Sequence, residues 1–221
     1  MKLHLLRATT VLLAILMVGL LGSAEAQDKD KKDKTENEKT EAKAKVGEKA
    51  PDFKLTDTEG NEHTLSTYLY DEKVVVLEWF NPDCPFVKKH HKNTQSMAET
   101  YAVAEEAEVV WLAINSGGPG KQGAGLKRNQ EAKEEYGIAY PVLLDESGEV
   151  GRAYGAKTTP HMFLIDKDGT LLYIGAIDNI PNPQELGDVN YMKKALGECA
   201  GGKAVETSET KPYGCSVKYA S

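Results

Sequence analysis

KVVVLEWFNPDCPFVKKHH, Lys73 to His91, joins an apolar run to a helical pattern through a sharp break. Lys73–Phe80 is rich in β-branched residues, and a run this apolar suits a strand buried on both faces. Asn81-Pro82-Asp83 ends that strand. Pro85 suits the first turn of a helix, where its missing N–H costs nothing. The spacing predicts one helix from Pro85 through Met97, Tyr101 and Val103 to about Glu106. Cys84 therefore stands at a helix start, where unpaired N–H groups and the macrodipole favour a thiolate. It also stands at the C-terminal end of a central strand, where open α/β sheets form their sites. The plain alternative is a small, inert, buried cysteine. The position of the second cysteine in a dithiol motif, three residues on, is Val87.

Outward from that stretch, the order of elements sets the fold class. Glu108–Asn115 (EVVWLAIN) reads as a second buried strand, Leu126–Tyr136 as a charged helix, Tyr140–Asp145 as a short strand and Glu149–Tyr154 as one or two helical turns. His161–Ile165 and Thr170–Ile177 flank Asp166-Lys167-Asp168-Gly169, a hairpin turn signal. A last helix is expected over Pro183–Gly197, and a hairpin-like segment over Phe53–Leu65 precedes the whole. The βαβ half implies a parallel pair with a right-handed crossover, and the hairpin adds antiparallel strands. The expectation is an α/β protein with a mixed central sheet, helices on both sides and an N-terminal hairpin-like extension.

The N-terminal residues bear on compartment. Lys2 and Arg7 precede an apolar core, Val11–Leu21, too short to span a bilayer comfortably, and Ser23-Ala24-Glu25-Ala26 supplies small residues at a cleavage spacing. Residues 1–26 are expected to be a signal peptide, the alternative being an uncleaved anchor. Residues 27–45 alternate acidic and basic side chains without a large apolar residue, and read as a disordered tether. Residues 46–221 are long enough for a single domain with its own core. The exported protein would be periplasmic or secreted, where disulfides persist, with no integral membrane span after cleavage. A net charge of −7 argues against nucleic acid or an anionic membrane as partner.

Thr158-Thr159-Pro160 directly precedes the first hairpin strand, which would carry it beside Cys84. His90 and His91 lie too far along the predicted helix to share a metal with Cys84, about 10 Å for His91. Lys88, Lys89, His90 and Lys92 read as a solvated basic face, so no metal is expected. Gly117–Gly125 evokes a phosphate loop, but Lys121 is followed by Gln122. It reads as a flexible crossover loop near the site. Asp166–Gly169 lacks the remaining ligands of a calcium loop.

Several segments together carry a family resemblance: PDFKLTDTEGNEHTLSTY (51–68), VVVLEWFNPDCPFVKKHH (74–91), VVWLAINS (109–116) and YPVLLDESGEVGRAYGAKTTPHMFLIDKDGTLLYIGAIDN (140–179). The chain resembles the thioredoxin-fold redoxins of the alkyl hydroperoxide reductase and thiol-specific antioxidant type. Within them it is most similar to a peroxiredoxin-like branch with NPDCPFVK-type motifs and a G-C-S-[IV]-K-[WY] tail, here Gly214–Tyr219. The resemblance implies a thioredoxin-like fold, Cys84 as the redox thiol and a cis Pro160. Two positions depart from the relatives' patterns. Typical peroxiredoxins carry threonine or serine where this chain has Asn81, and proline where it has Leu77; typical thioredoxins carry cysteine at Val87.

Three cysteines allow three single bridges, each leaving one thiol over. Cys84 with Cys215 would pair a redox thiol with a distal resolving partner. Cys199 with Cys215 would clip the last helix to the tail. The first pairing is preferred, with Gly201–Lys211 as a mobile segment that carries Cys215 to the helix start.

The expected function is an exported thiol oxidoreductase, acting by thiol–disulfide exchange or peroxide reduction. Cys84 is the nucleophile, Cys215 or an external thiol reductant resolves it, and Thr159 and Pro160 form the substrate groove. Its partners would be a thiol or disulfide protein or a peroxide, and no cofactor is needed. The alternatives are a binding module that kept the fold and lost the chemistry, and, more remotely, a metal-binding chaperone.

Overall fold

The computed structural model describes residues 44–220. The expected signal segment and nearly all of the expected tether lie outside them. Ala44 and Lys45, the last two tether residues, sit against the domain, with the Ala44 N–H donating to Ala153 O at 3.1 Å.

The apolar run forms β3 (Val75–Trp79), buried along its whole length. Alternation sends Val75, Leu77 and Trp79 to one face of the sheet and Val76 to the other, so each face acquires its own core. Each such side chain withdrawn from water contributes about 1.5–3 kcal/mol before conformational entropy is subtracted. β3 pairs in parallel with β4 (Val110–Asn115), and β4 in parallel with β5 (Val142–Leu144). On its other side β3 pairs antiparallel with β7 (His161–Ile165), which pairs antiparallel with β8 (Leu171–Gly175). The N-terminal hairpin, β1 (Lys54–Asp57) and β2 (Glu62–Thr64), extends the sheet antiparallel from β5. The sheet order is β2-β1-β5-β4-β3-β7-β8.

Leu65 of α1 (Leu65–Tyr70) and Tyr154, just past α5 (Glu149–Ala153), cover the Trp79 face. Met97 and Ala104 of α3 (Ser96–Glu106), Ala132 of α4 (Leu126–Tyr136) and Met192 and Leu196 of α6 (Tyr191–Ala200) cover the other. This is the expected thioredoxin-like α/β arrangement. Among the described residues no helix is long and apolar enough to cross a membrane.

Five local expectations are corrected. The single helix over residues 85–106 is two helices, α2 (Pro85–Lys88) and α3, with a π-helical turn over Lys89–Asn93 between them. Thr94 is extended, and its hydroxyl donates to Lys89 O at 2.8 Å while accepting from the Ser96 N–H at 3.3 Å. A short hydroxyl side chain thus competes with the helical ladder and breaks it. The widened π turn also takes Lys89 and His90 out of the expected solvated basic face, whereas Lys92 stays exposed. Lys89 and His90 are buried, and the His91 side chain is only 3% exposed.

The last helix begins at Tyr191 rather than Pro183. The Asn190 side chain accepts from the Lys193 N–H at 2.9 Å, and Asp178 captures the Gly187 N–H at 2.8 Å, holding the intervening chain in a loop. The segment expected to be mobile after α6 is tied to the outer edge of β8. Ile174 N–H donates to Ser208 O at 3.0 Å, Thr210 N–H to Ile174 O at 3.1 Å, and Ala176 N–H to the Thr210 hydroxyl at 2.9 Å. An open sheet edge needs such partners, and a polar sequence supplies them as well as an apolar one. Residues 117–125 do lie near Cys84, but as a pinned loop. Asn115 and Asn129 side-chain amides both donate to Gly123 O, at 2.8 and 3.2 Å.

Candidate active site

Cys84 caps the start of α2 at the end of β3, and its side chain is fully buried. The break before it is built by Asn81, whose Oδ1 accepts the Asp83 N–H at 2.9 Å and whose amide donates to Gln122 O at 3.1 Å. A Cβ at Gly123 would lie 2.0 Å from Asn81 Oδ1, so only glycine lets the loop close over this turn. Asp83 points away and takes two hydrogen bonds from Arg128, at 3.0 and 2.8 Å. Cys84 is the N-cap of this helical stretch, which runs from Pro85–Lys88 directly into the π turn over Lys89–Asn93. Cys84 also has direct partners.

The first partner is Thr159. The Cys84 thiol donates to the Thr159 carbonyl at 3.0 Å, and the Thr159–Pro160 bond is cis. The second is Cys215. The tail forms β9 (Cys215–Ser216), which pairs antiparallel with β6 (Thr158–Thr159), Cys215 opposite Thr159, and its thiol lies against the Cys84 sulfur. Gly214, at φ +134°, makes the approach possible. A Cβ there would stand 2.2 Å from Thr159 O. The four residues singled out in the sequence, Cys84, Thr159, Pro160 and Cys215, thus meet at one place. Cys199 is half-buried on α6, and all three thiols are free.

Burial pushes the Cys215 thiol up to about 11, with the hydrogen bond to Cys84 and the charge on Cys84 acting in the same direction. In the reduced protein its alkylation rate should therefore keep rising toward pH 11, instead of levelling off in the ordinary cysteine range. Cys84→Ser removes the charge but not the burial, so the plateau should move down only part of the way. Peptide mapping after timed alkylation across pH 7–11 reads both, and a plateau near pH 8.5 in the wild type would contradict the placement of Cys215 against Cys84.

Two buried polar clusters adjoin the site that the sequence did not reveal. Glu78, the one charged residue inside the apolar run and the only hint in the sequence, lies buried on β3. It accepts from Tyr140 OH at 2.9 Å and Trp111 Nε1 at 3.3 Å and pairs with His91 Nε2 at 2.7 Å. The second joins Lys89, Asp178, His90 and Tyr213. Lys89 Nζ lies 2.9 Å from Asp178 Oδ2 with both side chains 1% exposed, and it donates to Ile180 O at 2.8 Å. The Tyr213 hydroxyl donates to Asp178, and His90 Nε2 lies 3.2 Å from that hydroxyl. Burial holds His90 neutral, down to about 4, against the opposing pull of Asp178.

A mixed sheet of this order, with a cysteine at the end of its central strand facing a cis-proline peptide, defines a thioredoxin-like protein. The chain belongs to the AhpC/TSA family, whose sequence model matches residues 46–174. That span includes Cys84 and Pro160 and stops before the tail. Among similar proteins, the thiol-disulfide oxidoreductase ResA of Geobacillus thermodenitrificans is 37% identical over 125 residues, 56% of this chain and 65% of the relative. The protein of the same name from Geobacillus kaustophilus is 34% identical over 129 residues, 58% of this chain and 68% of the relative. The chain thus spans about two thirds of these relatives' length. Among solved structures, a hypothetical protein, SMc02350, from Sinorhizobium meliloti 1021 superposes with a TM-score of 0.70 at 30% identity, covering 80% of this chain and 96% of its own. An uncharacterized conserved protein from Geobacillus kaustophilus gives a TM-score of 0.68 at 29% identity, covering 80% and 93%.

Proposed function

We propose that the protein is an exported thiol–disulfide oxidoreductase in which Cys84 is the nucleophile and Cys215 the resolving thiol. The observation that carries this reading is the meeting of the Cys84 sulfur with the Thr159 carbonyl and the Cys215 thiol, beside the cis Pro160. Cys84 thiolate attacks a substrate disulfide, forming a mixed disulfide and releasing one substrate thiolate. Cys215, deprotonated, then attacks the Cys84 sulfur, forming the Cys84–Cys215 bridge and releasing the second substrate thiolate. Two electrons move from the protein's two thiols to the substrate, and an external thiol reductant restores them. Once Cys84 is in a mixed disulfide it can carry no charge, so one of the causes that hold the Cys215 thiol up is removed.

Peroxide reduction would use the same two sulfurs, through a sulfenic acid on Cys84 and loss of water on bridging. Disulfide exchange is favoured on two grounds. The ResA relatives are named for it. Asn81, which stands where peroxiredoxins place a hydroxyl, has its side chain committed to the Asp83 turn and Gln122. A second reading, a binding module without chemistry, is favoured by one observation: Cys84 is fully covered.

Treatment with a stoichiometric model disulfide should give a cross-linked peptide pair, Cys84 with Cys215, while Cys199 stays alkylatable. Stoichiometric peroxide should give the same pair more slowly. A Cys199–Cys215 bridge with Cys84 unreactive would establish the binding module instead, and a faster reaction with peroxide would reverse the substrate assignment.

A further inference from the structure

The tail is held on both sides of Cys215, and the two anchors differ in what they hold it to. Downstream, Val217 N–H donates to Lys157 O at 3.1 Å, Lys218 O accepts from the Gly118 N–H at 2.8 Å and Tyr219 OH donates to Ala156 O at 2.8 Å. These contacts fix the tail to the loops around the sheet. Upstream, Tyr213 fixes it to the Cys84 helix itself. Its ring packs edge-on against Phe86 at 5.6 Å, and its hydroxyl lies 3.3 Å from Lys89 Nζ and 3.2 Å from His90 Nε2. Phe86, Lys89 and His90 follow Cys84 by two, five and six residues, and Tyr213 precedes Cys215 by two. The fourth partner, Asp178, comes from the loop after β8 and is itself held by backbone N–H groups of Ile180 (3.1 Å) and Gly187 (2.8 Å). The rigid element is therefore the buried Lys89–Asp178 pair, and Tyr213 is the only residue of the tail among those that the described contacts give this pair.

We propose that Tyr213, seated on Lys89 and Asp178, is a positioning residue that holds β9 over Cys84. It thereby sets how firmly the Cys84–Cys215 bridge closes and how readily an outside reagent reaches Cys84. This rests on the preceding reading for the bridge, but not for access. With β9 in place the Thr159 backbone is already paired and Cys84 has no exposed surface, so an extended substrate meets the groove only when the tail lifts. A hydroxyl donating to a buried carboxylate is the kind of contact whose loss is felt, because the charge stays and its donor goes.

Tyr213→Phe removes that donor and keeps the ring against Phe86. In the otherwise wild-type protein, the equilibrium constant for bridge formation against glutathione should fall at least tenfold, about 30 mV in potential. In a Cys215→Ser background, where no bridge can form, Cys84 alkylation by a small neutral maleimide should accelerate at least tenfold on adding Tyr213→Phe. Tyr154→Phe, which keeps the ring and removes a buried hydroxyl whose acceptor is Pro51 O at 2.6 Å and not a tail residue, is the control for general loosening and should leave both readouts within twofold. An unchanged bridge constant in Tyr213→Phe, with the bridge forming normally in the wild type, would overturn the positioning role and leave the proposed function standing. If no bridge forms in the wild type the resolving role of Cys215 falls, and the alkylation arm alone then decides: acceleration supports the latch and an unchanged rate overturns it. Equal effects from Tyr154→Phe would also overturn it.

Discussion

A Cys84→Ser variant is expected to lose thiol-dependent turnover by roughly a thousand-fold or more, equivalent to about 4 kcal/mol of barrier, while staying folded. The two halves of that result have separate causes. An alcohol is almost never ionised at neutral pH and is a poor attacking group toward sulfur, so the first bond-forming step fails. The fold survives because the replacement is nearly isosteric and its hydroxyl inherits the Thr159 carbonyl as acceptor, 3.0 Å from the present sulfur. A buried hydroxyl with a partner costs about 1 kcal/mol or less. Insulin-type disulfide reduction and thermal melting, measured on the same preparation, check both halves. Turnover retained in Cys84→Ser would remove Cys84 from the mechanism.

The second large effect concerns stability. Asp178→Ala should cost about 3–5 kcal/mol, because it strands the Lys89 ammonium in a site 1% exposed. It also leaves the Gly187 and Ile180 N–H groups and the Tyr213 hydroxyl without their acceptor. Lys89→Met should cost less, since Asp178 keeps those three donors. Replacing both charges, as Lys89→Met with Asp178→Leu, should recover part of the Asp178→Ala loss, because two desolvated charges disappear together. Urea unfolding of the four proteins measures the series. A double variant no more stable than Asp178→Ala would mean that the carboxylate matters through its hydrogen bonds to Gly187, Ile180 and Tyr213 and not through the pair.

The strands were legible because their signals are local. Lys73–Phe80 and His161–Ile165 are apolar runs bounded by breakers, and Asp166–Gly169 announces its own turn. The place of Cys84 and Pro160 followed from the topology those strands dictate. What escaped were features decided by distant neighbours. Lys89 and His90 look like part of a solvated face until the π turn rotates them inward, and nothing in KKHH signals that turn. Asp178 sits in an ordinary loop sequence, and its role depends on a lysine 89 residues away. The tail after α6 has the composition of a mobile segment, yet it supplies the missing edge of β8. Composition reports what a segment can bury; it does not report which unpaired backbone waits for it.

The position of Cys215 on the Thr159 strand also bears on how the chain first oxidises. In the unfolded chain Cys215 is 215 − 199 = 16 residues from Cys199 and 215 − 84 = 131 from Cys84. Loop-closure statistics scale as the three-halves power of length, so before folding the Cys199 encounter is favoured by about twentyfold, ~2 kcal/mol. Native structure reverses that preference by seating Cys215 against Cys84 and leaving Cys199 on α6. The order of events is then expected to matter: under the proposed function, a chain that folds before meeting an oxidant should capture the distant partner, and one oxidised first should be drawn to the near one.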